Sequence, residues 1–226
     1  PVMSLQGEPG ELYEACLRVE VNGELVTPSG FLGIAEEHGL LAQIDRWVVR
    51  RVIEVLGGRE RAGRKTGLIA RVSPASFAGE ELVQLVRAEL AAQGVPGERL
   101  WLEAPEARVF THLRSARQFL DAVAPVGCRV GLEQFGSGLD SFQMLAHFKQ
   151  AFVKIDPGLT DGVGKGGEGQ DKVRAITARA RDEGIVTVAE RVDDAQAMSQ
   201  LFSAGVEYVS GDFVAPVGPA MNFDFG

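Results

Sequence analysis

The chain is poor in cysteine and histidine, the side chains that most often bind transition metals. Of its 226 residues only two are cysteines, Cys16 and Cys128, and three are histidines. No CxxC pair and no HExxH spacing occurs among them, which disfavours a zinc site and a disulfide framework. No apolar run approaches the ~20 residues that a membrane-spanning helix needs, and no secretory signal is recognisable. We therefore expect a cytoplasmic domain without membrane insertion.

The chain also lacks a surplus of basic residues. It has 31 acidic residues against 23 lysines and arginines, which gives a formal net charge of −8. Binding to duplex nucleic acid depends on lysines and arginines that replace the phosphate counterions, so duplex nucleic acid is not expected as the main partner. A small anionic ligand remains compatible with this composition, because one local pocket of arginine and lysine is enough to bind it.

Hydrophobic periodicity along the chain switches repeatedly between that of strands and that of helices. Strands are predicted around Val2 and at 12–21, 68–72, 99–102, 130–132, 151–155, 185–189 and 206–209. Helices are predicted at 27–38, 44–56, 77–93, 113–123, 141–148, 170–183 and 194–203, with a polar loop at 57–66 and a glycine-rich loop at 158–169.

Eight such units favour a single α/β domain over residues 1–226, a (β/α)8 TIM-like barrel, with a doubly wound sheet as the alternative. Because Pro1 begins in what looks like a strand, we expect the chain to be a fragment of a longer protein.

Polar and charged residues stand at the ends of the predicted strands. In a barrel of this type, the carboxyl ends of the strands form the ligand face. The residues expected there are Glu14, Arg18, Arg71, Glu103, Glu133, Gln134, Lys154, Glu190 and Ser210. Each of them alone is compatible with an ordinary solvated loop, whereas a full set converging on one mouth favours a site.

Several of these residues lie in motifs that follow one another along almost the entire chain: EACLR from Glu14, EAPE from Glu103, LEQFGSG from Leu132, KID from Lys154, AERVD from Ala189 and YVSG from Tyr208. In order and spacing they resemble EAL domains, the cyclic di-GMP phosphodiesterase family, in which they usually read EALLR, ExTE, DDFGTG, KID, AEGVE and YVQG. The resemblance implies an EAL-type barrel.

Active members of that family are similar in holding two divalent metals that activate a water. Carried over position by position, the resemblance implies a vestigial site of Glu14, Arg71, Glu103, Glu133, Gln134, Glu190 and Ser210, with Lys154 beside it. Arg71 has no lone pair to offer a cation, and we expect it to pair with Glu14 or Glu103. Gln134 and Ser210 also depart from the family pattern. We predict that no metal is bound, that no residue is catalytic and that the domain is not an enzyme.

The remaining residues are compatible with metal-independent binding of cyclic di-GMP. Glu190, Asp45 and Asp193 are candidates for the guanine N–H groups, and Arg18 is the candidate for a phosphate. Apolar contacts to the bases are expected from Cys16, Leu17, Phe31, Leu32 and Pro216. Leu17, Phe31 and Leu32 are equally compatible with ordinary core positions, and Asp45 with a cap of its own helix.

Within the family, LEQFGSG is most similar to the FimX type. That resemblance implies the C-terminal module of a multidomain regulator of type IV pilus biogenesis and twitching motility, with a PilZ-domain protein and the pilus assembly machinery as partners. Two alternatives stay open, a weak metal-dependent phosphodiesterase and an interaction scaffold that binds no nucleotide.

Overall fold

The computed structural model describes residues 1–138, 140–161, 163 and 168–225. Its strands are β1 (Met3–Ser4), β2 (Glu11–Glu14), β3 (Val19–Val21), β4 (Glu24–Val26), β5 (Thr66–Arg71), β6 (Leu100–Pro105), β7 (Arg129–Phe135), β8 (Phe152–Ile155), β9 (Val186–Ala189) and β10 (Tyr208–Val209). Its α-helices are α1 (Leu32–Glu37), α2 (Leu41–Arg61), α3 (Glu81–Gln93), α4 (Glu106–Thr111), α5 (Leu113–Val123), α6 (Ser141–His147), α7 (Pro157–Thr160), α8 (Glu168–Asp182) and α9 (Ala195–Ser203).

Eight strands form one sheet in the order β1-β10-β9-β8-β7-β6-β5-β2. All neighbours pair in parallel except β1, which runs antiparallel to β10. The amide of Val2 donates a hydrogen bond to the carbonyl of Leu12 across 2.7 Å and so brings the two edges of the sheet together. The predicted (β/α)8 barrel is confirmed, with the first strand reversed relative to the others.

The predicted strand at 12–21 is wrong in one respect, because the chain leaves the barrel after Glu14. Its second half forms the separate hairpin β3–β4, in which Val19 and Val21 are exposed. The turn is at Asn22 and Gly23, with φ angles of 53° and 84°. This left-handed conformation suits asparagine and glycine and is typical of tight hairpins, as the sequence indicates.

Helix α2 is longer than predicted, since it continues through Gly57 and Gly58 to Arg61. A Cβ atom at Gly57 would lie 2.6 Å from Oε1 of Gln93 on α3, so this glycine allows the two helices to approach closely. The polar loop predicted at 57–66 is correspondingly shorter. Helix α7 likewise replaces the first part of the predicted glycine-rich loop. Residues 162 and 164–167 of that loop lie outside the described residues.

The barrel interior holds a small apolar layer, separate from the larger core between the strands and the helices. Trp101 and Phe152 are in contact within it, with ring centroids 4.9 Å apart and ring planes tilted by 45°. Gly131 makes this possible, because a Cβ atom there would lie 2.6 Å from the Phe152 ring. The interior layer consists of Val2, Leu12, Ile69, Trp101, Phe152 and Val188.

None of the helices within the described ranges is long and apolar enough to cross a membrane.

Candidate functional site

A charged layer follows the apolar layer inside the barrel. Side chains two residues apart on a strand point to the same face, so five of the six interior apolar residues are followed by a second inward-facing residue at the carboxyl end of the strand. The pairs are Leu12 and Glu14, Ile69 and Arg71, Trp101 and Glu103, Phe152 and Lys154, and Val188 and Glu190. The fold therefore brings five of the predicted strand-end residues together at one mouth: Glu14, Arg71, Glu103, Lys154 and Glu190.

Lys154 is the centre of this charged layer. Its Nζ atom lies 2.9 Å from Oε1 of Glu14, 3.0 Å from Oε1 of Glu103 and 3.0 Å from Oε2 of Glu190. Its side chain is only 2% exposed. The three carboxylates come from β2, β6 and the end of β9, so one buried ammonium group joins strands that are distant in the sheet order.

The electrostatics of the layer reflect burial and mutual charge. Burial opposes the charged form of Lys154, but the carboxylates of Glu103, Glu14 and Glu190 raise its pKa well above the ordinary value. Burial raises the pKa of Glu103 to about 8, with a further contribution from the negative charges of Glu14 and Glu133. The layer thus holds a cation that the surrounding carboxylates stabilise, whereas burial disfavours the charged form of Glu103.

Arg71 pairs with the fourth carboxylate. Its Nε atom lies 2.7 Å from Oε1 of Glu133, close enough for an ion pair, although the contact lacks the angle of a hydrogen bond. The predicted pairing of Arg71 with Glu14 or Glu103 is wrong, because Lys154 already engages both. Burial raises the pKa of Glu133, and the charges of Arg71 and Lys154 oppose this shift.

Gln134 and Ser210 do not join the ion-paired cluster. Gln134 is exposed and has a φ of 54°, in an irregular stretch where the pairing of β7 with β8 shifts between Leu132 and Phe135. Ser210 is half-buried and donates its backbone N–H to the carbonyl of Ala189. Across the part of the chain that the structure describes, no three His, Cys, Asp or Glu side chains are arranged to hold a metal ion.

Asp45 lies within α2 and holds the segment that follows β5. Its Oδ2 atom accepts hydrogen bonds from the backbone N–H of Ser73 at 2.8 Å, from the Ser73 hydroxyl at 2.6 Å and from the Ser76 hydroxyl at 2.6 Å. Burial raises its pKa against these hydrogen bonds. The alternative that Asp45 caps its own helix is wrong, since its partners belong to another segment.

The predicted apolar and phosphate-binding residues lie after β2, at the start of α1 and in the segment after β10. Arg18 is half-buried, and its Nη1 atom donates to the carbonyl of Leu17 at 2.7 Å. The alternative of ordinary core positions is wrong for the three apolar residues, which are half-buried and outside both apolar clusters: Leu17, Phe31 and Leu32. The remaining candidates are exposed: Cys16, Asp193 and Pro216.

Glu106 is a site residue that the strand-end reasoning missed. It is buried at the start of α4, and its Oε2 atom accepts the backbone N–H of Gly136 at 3.0 Å. Its carboxylate therefore fixes the turn after Glu133 and Gln134. The signal for it is the EAPE motif itself, whose second glutamate directly follows β6.

Two concave surfaces are lined by residues that the structure describes. One of about 280 Å³ lies beside Glu190 and is lined also by Thr160, Asp161 and Asp193. A larger groove of about 550 Å³ lies between residues 94–97 and 125–126. The larger groove is at the amino ends of β6 and β7, the end of the barrel opposite to the charged layer, whereas the smaller one adjoins the site.

The fold and the charged mouth define a (β/α)8 barrel of the EAL type, and the chain belongs to this family. The model of the EAL domain matches residues 1–217. The expectation from the sequence motifs is thereby confirmed.

Within the family, the chain is similar to FimX EAL domains of known structure. It is 58% identical to the Xanthomonas citri FimX EAL domain in complex with c-diGMP, with a TM-score of 0.96 over 100% of this chain and 88% of the other. It is 30% identical to the FimX EAL domain of Pseudomonas aeruginosa bound to c-di-GMP, with a TM-score of 0.93 over 100% of this chain and 91% of the other.

Among curated proteins, it is 25% identical over 220 residues to the cyclic di-GMP phosphodiesterase PdeF of Escherichia coli. The matched region covers 96% of this chain and 30% of that protein. The chain spans 28–32% of the length of the first three curated relatives that it matches.

Proposed function

We propose that this domain is a receptor for cyclic di-GMP that does not hydrolyse its ligand. The observation that carries the binding proposal is the 58% identity, over the whole chain, to a FimX EAL domain in complex with c-diGMP. At that level of similarity the shape of the mouth and most of its side chains are expected to be shared.

We further propose that binding requires no divalent cation. A two-metal centre needs several carboxylates that are free to coordinate. Here Lys154 contacts three of the four carboxylates of the charged layer and Arg71 contacts the fourth. Arg71 itself has no lone pair to offer. Lys154 also belongs to the usual family pattern, so the difference lies in Arg71, which brings a positive charge, and in Gln134, which carries no negative charge. This altered donor set supports a binding role without metal-dependent hydrolysis.

Recognition of the nucleotide is assigned to residues of the charged layer and to the predicted apolar and phosphate-binding residues. Glu190 is half-buried beside Lys154 and offers its second oxygen to guanine N–H donors, with exposed Asp193 nearby along the chain. Arg18 is assigned to a phosphate, and the base faces are assigned to five residues: Cys16, Leu17, Phe31, Leu32 and Pro216. Asp45 keeps its assignment to guanine N–H donors, and through Oδ2 it also holds the segment after β5.

Calorimetric titration of cyclic di-GMP into the purified domain in EDTA tests the proposal. The same sample is then incubated with magnesium or manganese, and the nucleotide is analysed by chromatography. Metal-free binding with intact nucleotide is the expected result. Conversion to the linear dinucleotide would mean that the domain is a weak phosphodiesterase, and absence of binding would favour the scaffold without nucleotide.

Two substitutions make this test specific for the assigned residues. Arg18→Ala and Glu190→Gln are each expected to weaken binding by tenfold or more while the thermal unfolding curve stays cooperative. Asp121→Asn, on an exposed position of α5, is the control and is expected to leave the affinity unchanged.

By the same similarity, we propose that the domain acts in the cytoplasm through a PilZ-domain protein and the pilus assembly machinery in type IV pilus regulation. Co-elution of the domain with a PilZ-domain protein from the same organism, with and without cyclic di-GMP, tests this assignment. Failure to co-elute in both conditions, with nucleotide binding intact, would contradict the partner and leave the receptor proposal standing.

A further inference from the structure

We propose that the ion pair between Arg108 and Glu36 holds a weakly anchored segment in place for nucleotide binding, so that Arg108 is a positioning residue. This inference rests on the proposed receptor function and deepens it, because it names a contact outside the binding residues that controls the affinity of the site. The segment is the mouth lobe, defined as residues 16–39, which comprises the β3–β4 hairpin and α1. It carries four of the five residues assigned to the base faces: Cys16, Leu17, Phe31 and Leu32.

The mouth lobe has little apolar anchoring to the barrel. Among residues 16–39, all of which the structure describes, only Ala35 is buried, and Ala35 belongs to neither apolar cluster. Val21 and Leu25 of the hairpin are exposed. Segments with few buried apolar contacts are the ones that open most readily. The position of the mouth lobe therefore depends on polar contacts more than the position of a core strand or helix does.

The Arg108–Glu36 pair supplies such a contact across the top of the sheet. The Nη2 atom of Arg108 donates to Oε1 of Glu36 at 2.7 Å and to Oε2 at 2.9 Å. Hydrogen bonds between two charged groups are stronger than those between neutral groups. Glu36 lies on α1, in the lobe that leaves the barrel after β2, whereas Arg108 lies on α4, directly after β6. Because β5 separates β2 from β6 in the sheet, the pair ties the mouth lobe to the far side of the carboxyl end of β5.

Helix α4 gives Arg108 a fixed base at the mouth. Val109, the next residue, is 1% exposed and belongs to the larger core. Glu106 on the same helix is buried and accepts the backbone N–H of Gly136, in the turn after β7, at 3.0 Å. Helix α4 thus contacts the turn after β7 through one side chain and the mouth lobe through another. Loss of the ion pair is expected to leave α4 in place and to free the lobe.

The exposure of the pair separates positioning from a general effect on stability. The side chains of Arg108 and Glu36 are 52% and 50% exposed. Ion pairs at such exposure contribute little to the stability of a whole domain, so their loss should hardly move the thermal unfolding curve. Affinity responds differently, because the apparent dissociation constant rises as the fraction of molecules with the lobe in the binding position falls.

Charge reversal and exchange of the pair test the inference by calorimetry in EDTA. We expect Arg108→Glu and Glu36→Arg each to weaken cyclic di-GMP binding at least threefold, because each places like charges side by side. The double variant with both substitutions restores opposite charges and is expected to bind within twofold of the wild type. Hydrogen exchange of the backbone amides of residues 16–39, measured without nucleotide, should be faster in the single variants and return to the wild-type rate in the double variant.

Arg50 offers a matched control. Its side chain is 51% exposed and its Nε atom lies 2.9 Å from Oε1 of Glu89, but this pair joins α2 to α3 on the outside of the barrel. Arg50→Glu is expected to bind like the wild type. Equal affinity and equal lobe exchange in Arg108→Glu and the wild type would overturn the inference alone, as would a double variant that stays as weak as the single ones. Absence of binding by the wild type would overturn the receptor function and the role of the pair in binding, while the exchange rates would still show whether the pair holds the lobe.

Discussion

The Nζ atom of Lys154 lies 3.0 Å from Oε1 of Glu103, and both side chains are almost completely buried. They belong to β8 and β6, which are separated in the sheet by β7. A buried ammonium group is tolerated only when nearby carboxylates compensate its charge. Removal of such a partner leaves an ionised group that neither solvent nor another charge stabilises. The charged layer is therefore part of the structural core as well as part of the site.

Lys154→Met should strongly destabilise the fold. The change keeps an unbranched side chain but leaves the carboxylates of Glu14 and Glu190, and the buried carboxyl group of Glu103, without their shared cation, for which we expect a loss of about 3–5 kcal/mol. Urea unfolding at pH 7 measures this loss. Lys149→Met makes the same change at an exposed position and should change the free energy of unfolding by less than about 0.5 kcal/mol. Similar effects of the two changes would contradict the role given to Lys154.

The raised pKa of Glu103 predicts a specific pH dependence of stability. Burial raises this pKa from 4.5 to about 8, so between these values the folded state retains a proton that the unfolded state releases. The contribution of Glu103 is then greatest below about pH 4.5 and decreases as the pH rises toward 8.

Glu103→Gln is expected to remove this contribution, because a neutral amide has no proton to lose. Urea unfolding at pH 5, 6, 7 and 8 should give a flatter dependence for Glu103→Gln than for the wild type. Glu98→Gln, at an exposed carboxylate, serves as the control and should keep the wild-type slope. Parallel slopes for all three proteins would show that Glu103 titrates with an ordinary pKa.

The sequence alone allows prediction of the barrel and of the residues at its mouth, because both follow from local periodicity. Strands with inward-facing residues at every second position place Glu103 and Lys154 in one layer whatever the details of the helices. The choice of partners is different, since it depends on distances across the barrel. Nothing near Arg71 in the sequence indicates that it pairs with Glu133 while Lys154 takes Glu14 and Glu103.

The roles of Asp45 and Gly57 likewise depend on contacts with residues that are distant along the chain. A carboxylate early in a helix is typical of a cap, and the hydroxyl groups that it binds, on Ser73 and Ser76, lie about thirty residues away along the chain. Two consecutive glycines are typical of a helix end, whereas here the contact of Gly57 with Gln93 on α3 explains why a glycine lies within the helix.

Substitution by alanine should stabilise the protein at Gly58 but not at Gly57, the two consecutive glycines of α2. A Cβ atom at Gly58 has no atom within 4 Å, so Gly58→Ala should gain the helix propensity of alanine, about 0.5–1 kcal/mol. At Gly57 the same atom would lie 2.6 Å from Oε1 and 2.9 Å from Cβ of Gln93, and the displacement of α3 should offset the gain. Thermal unfolding of the two variants measures the difference. An equal rise in melting temperature would contradict the close approach of the helices.

Asp45 should link the stability of the barrel to the mouth, because it fixes Ser73, two residues after Arg71. Asp45→Ala removes the acceptor of three hydrogen bonds and leaves the hydroxyl of Ser76 buried, which we expect to cost about 2–4 kcal/mol. Asp45→Asn keeps an acceptor oxygen at the same place and should lose less than half of that. Urea unfolding measures both values, with Asp121→Ala on the surface of α5 as the control. If Asp45→Ala matched that control, the hydrogen bonds to the two serines would contribute nothing to the fold, and the segment after β5 would be held by other contacts.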